Sequence, residues 1–407
     1  MKRNLSIPVS VIIPAYNFRD SLEKVIVAIN SQTMLPKEIV IIDSSTVNDV
    51  EELIYSYKSN IPIIYRRVTR AYPGEARNLG ATLASGNWLA FLDSKTVPKD
   101  EWLECAFRVV ENNSAEVVFS LTQYISKTNF EELLKASTYG NDGIETTPGT
   151  LISKDNFKKS GGFIEGVRTA DDLEWRQRLK KEGFNCLTLS EITLTYFDMP
   201  NSLRQNLKRF FIYQLYTSVV NVQNAIKDVY LSLFLILSAI IIPRWNSIIG
   251  WEKSPLYIPN VTRAYLLSLI TFLLLIVVVN NVYFRRRKPS VFKVSVKISV
   301  LIILTLVTIN WNGVIAGWEE KALLYVPHIT KIYLGLLVLA SILYRGIYFP
   351  LRHNVTREYL FPIKWVEVGL LGVMLDMAKA PGYLIGAIIF PFKRVKHKDI
   401  YPPPLSL

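Results

Sequence analysis

Cysteine and histidine are scarce in this 407-residue chain, with two of the first and three of the second. Cys105 and Cys186 stand alone at no metal-like spacing, which argues against a disulfide framework or a zinc site. The histidines are His328, His353 and His397, all late in the chain. Acid–base chemistry in the first half must therefore come from carboxylates. The N-terminus lacks a long apolar core and Pro8 interrupts what there is, so no signal peptide is expected and the first domain should stay in the cytoplasm. A basic stripe on a folded N-terminal domain is missing too. Residues 1–227 hold 27 Lys/Arg against 26 Asp/Glu, while residues from 228 onward hold 20 against 8. The net charge of +13 thus belongs to the second half, and nucleic acid is not an expected partner.

What is present divides at about the same point. Short apolar runs at Val9–Ile13, Ile39–Ile42 and Trp88–Leu92 hardly alternate, as suits strands buried on both faces of a parallel sheet. Helical patterns lie between them at Ser21–Ser31, Val50–Tyr57 and Gly74–Ala84, which makes the class α/β. Each run ends in groups that suit a ligand: Pro14-Ala15-Tyr16-Asn17, then Asp43-Ser-Ser-Thr46, then Asp93-Ser94-Lys95. Open parallel sheets bind ligands beyond the carboxyl ends of their strands. One Asp at a strand end is commonly only a turn former, but three such ends in register with the sheet point to a site.

The segments Val9-Ser-Val-Ile-Ile-Pro-Ala-Tyr-Asn17, Ile39-Val-Ile-Ile-Asp43, Gly74-Glu-Ala-Arg-Asn-Leu-Gly80 and Trp88-Leu-Ala-Phe-Leu-Asp93 resemble, in order, the motifs of family-2 inverting glycosyltransferases. So do Gly161-Gly-Phe-Ile-Glu165 and Ala170-Asp-Asp-Leu-Glu-Trp-Arg-Gln-Arg-Leu179. The match covers roughly residues 8–210 and implies a GT-A-like, Rossmann-like nucleotide-binding fold. It implies a nucleotide-sugar donor, UDP- or GDP-linked, with Asp172 as the base and Asp171 as its neighbour in the motif. Asp43 would then meet the nucleobase, Pro14, Ala15 and Tyr16 would line its pocket, and Arg77 would face the diphosphate. Thr169-Ala-Asp-Asp172 also reads as a helix start approximating a capping box, with Gly183 as its stop.

The family usually places Asp-x-Asp where this chain has Asp93-Ser94-Lys95, and the final Asp helps to hold a divalent cation, Mg or Mn. A lysine offers donors only and cannot be that ligand. Either Lys95 neutralises the diphosphate itself, or Asp93 and other groups hold the metal, or the site has lost catalysis. A Gln-x-x-Arg-Trp motif of processive synthases is not matched at Gln205, and Ser202–Phe211 reads instead as a basic amphipathic helix at a membrane surface, consistent with single-sugar addition.

Apolar runs at Val229–Ile242, Ala264–Val279, Ile298–Ile309 and Ile332–Leu343 then suggest four membrane spans. The loop beginning Trp245-Asn-Ser-Ile-Ile-Gly-Trp recurs as Trp311-Asn-Gly-Val-Ile-Ala-Gly-Trp, an internal duplication. Arg285-Arg-Arg-Lys288 orients the intervening loop inward. The expected organisation is a transferase domain over 1–200 and an interfacial linker helix over 201–227. An all-α transmembrane domain would follow over 228–350 (repeats 228–284 and 294–350), then interfacial helices and a basic cytoplasmic tail over 351–407. The expected location is the cell's cytoplasmic membrane, with the catalytic domain facing the cytoplasm. The expected reaction is transfer of one sugar to a lipid-linked acceptor in surface polysaccharide or glycoprotein assembly. Two alternatives remain open at this point: a polyprenyl-phosphate sugar synthase, and a non-catalytic membrane scaffold or sugar sensor.

Overall fold

The structure is a computed structural model that describes residues 5–220, 222, 245–250, 254–259, 339 and 341–389. Its centre is an eight-stranded mixed sheet in the order β3-β2-β1-β4-β7-β6-β8-β5. β1 (Leu5–Ala15), β2 (Met34–Asp43), β3 (Ile63–Arg67) and β4 (Trp88–Phe91) form its parallel half. Val9, Val11, Ile12, Ile13 and Ile39 to Ile42 are fully buried, which is why these runs show no alternation. The second half is mixed: β7 (Ile144–Ser153) pairs antiparallel with β4 and β6 (Val117–Tyr124), β8 (Cys186–Tyr196) runs parallel to β6, and β5 (Thr96–Pro98) is antiparallel to β8.

Helices cover both faces. α1 (Arg19–Asn30), α2 (Asp49–Ser56) and α3 (Pro73–Leu83) connect the parallel strands, as the helical patterns predict. α4 (Trp102–Asn113), α5 (Asn129–Thr138), α6 (Lys154–Lys159) and α7 (Asp171–Glu182) follow. One core packs Leu22, Val25, Ile26, Trp102 and Leu103 against one sheet face; the other gathers Phe91, Phe157, Phe163, Trp175 and Leu179. In the second core the rings of Phe163 and Trp175 lie 4.5 Å apart, and the Trp175 indole donates to Ser160 Oγ at 3.0 Å. Gly80 explains how α3 sits so low on the sheet: a Cβ there would stand 2.5 Å from Ile12 Cγ2.

The α/β domain is as expected, but the all-α transmembrane domain is corrected. Among the described residues, no helix is long and apolar enough to cross a membrane. The expected location in the cytoplasmic membrane loses its support with it. The four runs taken as spans, apart from residues 339 and 341–343, lie outside the described residues, as does the second copy of the duplication. The first aromatic loop is described in part, with Asn246 Nδ2 donating to the Ile258 carbonyl at 2.6 Å and Ile258 N to Asn246 Oδ1 at 3.0 Å.

The two helices expected at an interface pack on each other and on the transferase domain. α8 (Leu203–Val219) buries Asn206, Phe210, Gln214, Thr217 and Ser218. Against it lies the 26-residue helix Lys364–Ile389, whose apolar composition reflects contact with α8 and α5. Gly382 and Gly386, one turn apart, meet the carbonyls of Phe211 and Leu215, so the two backbones approach as only glycine permits. Asp376, within this helix, is buried and takes Arg345 Nε at 2.6 Å and Lys379 Nζ at 3.2 Å. A carboxylate paired with two cations at the centre of a helix reflects burial against protein.

Gly80→Val should lower unfolding stability by roughly 1–3 kcal/mol, the usual cost of overpacking a filled core. Thermal or denaturant unfolding of the variant beside wild type measures it, and an unchanged midpoint would contradict the tight α3–β1 seam.

Candidate active site

The strand ends that stood out in the sequence converge. Asp93 follows β4, α3 carries Arg77 in its second turn, and α7 opens with Asp171 and Asp172. Arg77, almost wholly buried, donates Nη2 to Asp93 Oδ1 and Nη1 to Asp171 Oδ2, each at 2.6 Å. Its guanidinium carbon also lies 5.2 Å from the centre of the Phe163 ring. Burial works against the charge on Arg77, but Asp93, Asp171 and Asp172 more than offset it and hold its pKa above the ordinary value. For Asp171 burial is the larger influence and pushes the carboxyl up, helped by Asp172 and Asp93 and opposed by Arg77. Asp171 therefore anchors Arg77 inside the protein, while Asp172 is half-buried and borders open space.

The motifs seen separately in the sequence are bonded to one another. Asn78, next to Arg77, donates Nδ2 to the Phe163 carbonyl at 2.8 Å and accepts from Phe163 N at 2.9 Å, clamping the Gly161-Gly162-Phe163 turn. Glu75 accepts from Tyr72 N and Gly166 N, both at 2.9 Å. A Cβ on Gly74 would come within 2.6 Å of the Ile164 carbonyl and 3.2 Å of Asp171 Cβ, so glycine lets α3 approach α7. The start of α7 differs from the expected capping box. Its N-cap is Ala170 in the left-handed region (φ 72°), with no side-chain cap, whereas Gly183 (φ 86°) ends the helix as predicted. Left-handed backbone at a non-glycine residue is a strained conformation that packing here sustains.

Two cavities meet over this ion-paired centre. The first, about 680 Å³, is lined by Pro14, Ala15 and Tyr16 after β1, by Ser44 and Thr46 after β2, and by Asp93, Ser94 and Lys95 after β4. Arg70, Arg77, Lys95 and Arg168 border it, and Asp93 is the one carboxylate among its lining residues. The second, about 860 Å³, holds Asp171 and Asp172 together with Tyr124, Tyr139, Arg209 and Lys379. Arg77, Asp93, Arg168, Tyr196 and Tyr213 belong to both.

Asp43 is brought to neither. It is fully buried, taking the Tyr65 hydroxyl at 2.8 Å on one oxygen and Ser45 N at 2.8 Å on the other. Lys95 faces the first cavity with its ammonium 3.7 Å from the centre of the Phe18 ring and 3.4 Å from the Asp198 carbonyl. Burial lowers its pKa, Asp198 opposes that, and Arg209 adds to it. Asp93 is the one carboxylate that this cavity offers to a divalent cation. One oxygen of Asp93 is engaged by Arg77, and a lysine stands where the family's second carboxylate would be. Among the described residues no group of three or more His, Cys, Asp or Glu could hold a metal ion.

Sequence reasoning missed Arg168, Tyr196, Tyr213, Arg209 and Lys379, all of which line a cavity. Arg168 is one residue before Thr169 of the recognised acidic motif, a signal that was available. Lys379 carried no signal, since it reaches the site from a helix some two hundred residues later.

Comparison with known proteins finds relatives for part of this chain. Residues 10–169 match the family described as Glycosyl transferase family 2. A relative from Haemophilus influenzae, named "Uncharacterized glycosyltransferase", is 25% identical over 208 residues, spanning 46% of this chain and 67% of that protein. Another, from Bacillus subtilis, is named "Putative teichuronic acid biosynthesis glycosyltransferase TuaG"; it is 27% identical over 222 residues, spanning 51% of this chain and 87% of that protein. Among solved structures, S. aureus TarS 1-349 in complex with UDP-GlcNAc is similar at 17% identity and a TM-score of 0.40, over 60% of this chain and 76% of that one. TarS 1-349 alone matches at a TM-score of 0.39 and 17% identity, over 52% and 64%. The domain spanning residues 10–169 belongs to glycosyltransferase family 2, and the protein is a glycosyltransferase.

Arg77→Gln should destabilise the domain by roughly 3–5 kcal/mol, because it leaves a buried carboxylate without its cation. Arg77→Lys should recover only part of this, since an ammonium cannot span Asp93 and Asp171 as a planar fork does. Denaturant unfolding of both variants checks the order, and equal stability of the two would contradict it.

Proposed function

We propose that this transferase moves one sugar, with inversion, from a nucleotide-sugar donor in the smaller cavity to an acceptor hydroxyl in the larger one. The observation that carries the reading is the meeting of the two cavities at Arg77, Asp93 and Arg168, with Asp172 opening into the second. Tyr16, with Pro14 and Ala15, offers a wall for the base, and the cations beyond it suit a diphosphate. Asp172 takes the proton as the acceptor oxygen bonds to the anomeric carbon. The bond from that carbon to the diphosphate oxygen breaks, and its electron pair leaves with the nucleoside diphosphate. Positive charge from Lys95 and Arg168 stabilises the leaving group.

On this reading Lys95 takes over charge neutralisation that the family assigns to a metal, and no step needs a divalent cation. The acceptor we assign is a hydroxyl of a surface glycan carried on a lipid phosphate. The tyrosine- and cation-lined second cavity supports that class, as does the name of the Bacillus subtilis relative, which ties that protein to teichuronic acid biosynthesis.

A screen of UDP- and GDP-sugars for donor hydrolysis and transfer, with and without EDTA, tests the scheme. Asp172→Asn should lower kcat about 10²–10⁴-fold, the usual contribution of a general base, with donor affinity unchanged. Lys95→Met should weaken donor binding, and EDTA should leave wild-type turnover unaltered. Strict dependence on Mn or Mg would remove the role given to Lys95. Full activity of Asp172→Asn would favour an acceptor that is already ionised, as in a polyprenyl-phosphate sugar synthase.

A further inference from the structure

The larger cavity contains a cation that the transfer chemistry does not use. Arg209 projects from α8 into a tyrosine-walled recess where Tyr124 and Tyr139 stack at 3.8 Å and 7°. Its Nε donates to the Tyr213 hydroxyl at 2.7 Å, its Nη2 lies 3.5 Å from the Tyr196 hydroxyl, and its guanidinium carbon is 5.0 Å from the centre of the Tyr213 ring. Among the described residues no carboxylate lies within ion-pairing distance of it, unlike Arg77 or Arg176. Neutral hydroxyls orient a guanidinium but do not balance its charge, and an arginine keeps that charge at any ordinary pH. Arg209 is half-buried at the cavity wall, where a bound anion would balance its charge.

Lys379 lines the same cavity from the helix Lys364–Ile389, which packs on α8. Its ammonium lies 4.7 Å from the centre of the Phe210 ring, and it shares the carboxylate of Asp376 with Arg345. Burial draws its pKa down to about 8 against the pull of Asp376, and Arg345 adds to the fall. The residue before Arg209, Lys208, also lines this cavity. None of Lys208, Arg209 and Lys379 lines the cavity assigned to the donor.

We propose that Arg209 and Lys379 form a phosphate subsite for the acceptor, which fixes the acceptor's register so that its hydroxyl meets Asp172. The subsite rests on the transferase reading and adds the feature by which an acceptor is selected. A phosphate offers several oxygens to a guanidinium fork on one side and an ammonium on the other, while the tyrosine wall takes the face of a sugar ring. The two are specificity residues, apart from the sugar-transfer step itself.

Titration calorimetry on the full chain, saturated with whichever of UDP or GDP it binds, tests the subsite. The probes are N-acetylglucosamine, N-acetylglucosamine 1-phosphate and a farnesyl diphosphate-linked N-acetylglucosamine. The phosphorylated sugar should bind about tenfold or more tightly than the neutral one, the scale of one charged hydrogen bond. Arg209→Gln and Lys379→Met should each remove most of that preference while leaving nucleotide affinity unchanged, Lys379→Met at some loss of melting temperature because Asp376 keeps only Arg345, and Arg209→Lys should keep part of it. Either phosphorylated probe binding preferentially supports the subsite. A further gain for the farnesyl compound identifies a lipid-borne phosphate as the source, and equal binding identifies the phosphate alone. Equal binding of neutral and phosphorylated sugars would overturn the proposal. So would an Arg209→Gln variant that loses nucleotide affinity by the same factor, since Arg209 would then serve the donor. Donor hydrolysis that depends on Asp172 in a protein with no phosphate preference would leave the transferase reading intact and remove only this subsite.

Discussion

The arrangement depends on one buried guanidinium. Arg77 lies between Asp93 and Asp171, tying the end of β4 to the start of α7. A cation so far from water is tolerable only because both carboxylates meet it in the geometry of a planar fork. The same placement explains the neighbours. Gly74 must be small for α3 to reach α7, Asn78 must be an amide to clamp the Phe163 backbone, and Phe163 must be aromatic to cover the guanidinium from the second core. Segments scattered over about a hundred residues of sequence thus behave as one cooperative unit.

Much of the sheet was legible because a strand buried on both faces has a plain signature. Val9–Ile13 and Ile39–Ile42 are apolar runs interrupted only by Ser10, and every residue in them is buried. The strand ends were legible for the same reason, since Asp93 and Lys95 stop a run that has no cause to stop. The contacts between ends were not. Nothing near Arg77 announces that it will bond to Asp171 rather than face a diphosphate directly, because that contact spans 94 positions. Asp43, which the resemblance assigns to the nucleobase, is bonded to the hydroxyl of Tyr65, a neighbour only through β2–β3 pairing.

The later part of the chain shows the limit of apolar runs as evidence. Hydropathy alone does not distinguish a helix facing lipid from one facing protein. The helix Lys364–Ile389 is apolar because it meets α8 and α5, and its Asp376 and Lys379 are satisfied within the protein. α8, for its part, turns amides and hydroxyls inward, a face that no amphipathic pattern would mark as buried.

The glycine seam between α8 and the helix Lys364–Ile389 has a consequence for how this enzyme can vary. Gly382 and Gly386 bring a distant stretch of chain against the catalytic domain and deliver Lys379 to the larger cavity, whereas the smaller cavity is walled mostly by residues up to Lys95, joined by Arg168, Tyr196 of β8 and Tyr213 of α8. On the proposed assignment of donor and acceptor, part of the acceptor side is encoded far along the chain from the donor side. Changes along one helix face would then retune what is glycosylated while most of the apparatus that holds the sugar nucleotide is inherited unaltered, which would let a lineage of such enzymes diversify one substrate at a time.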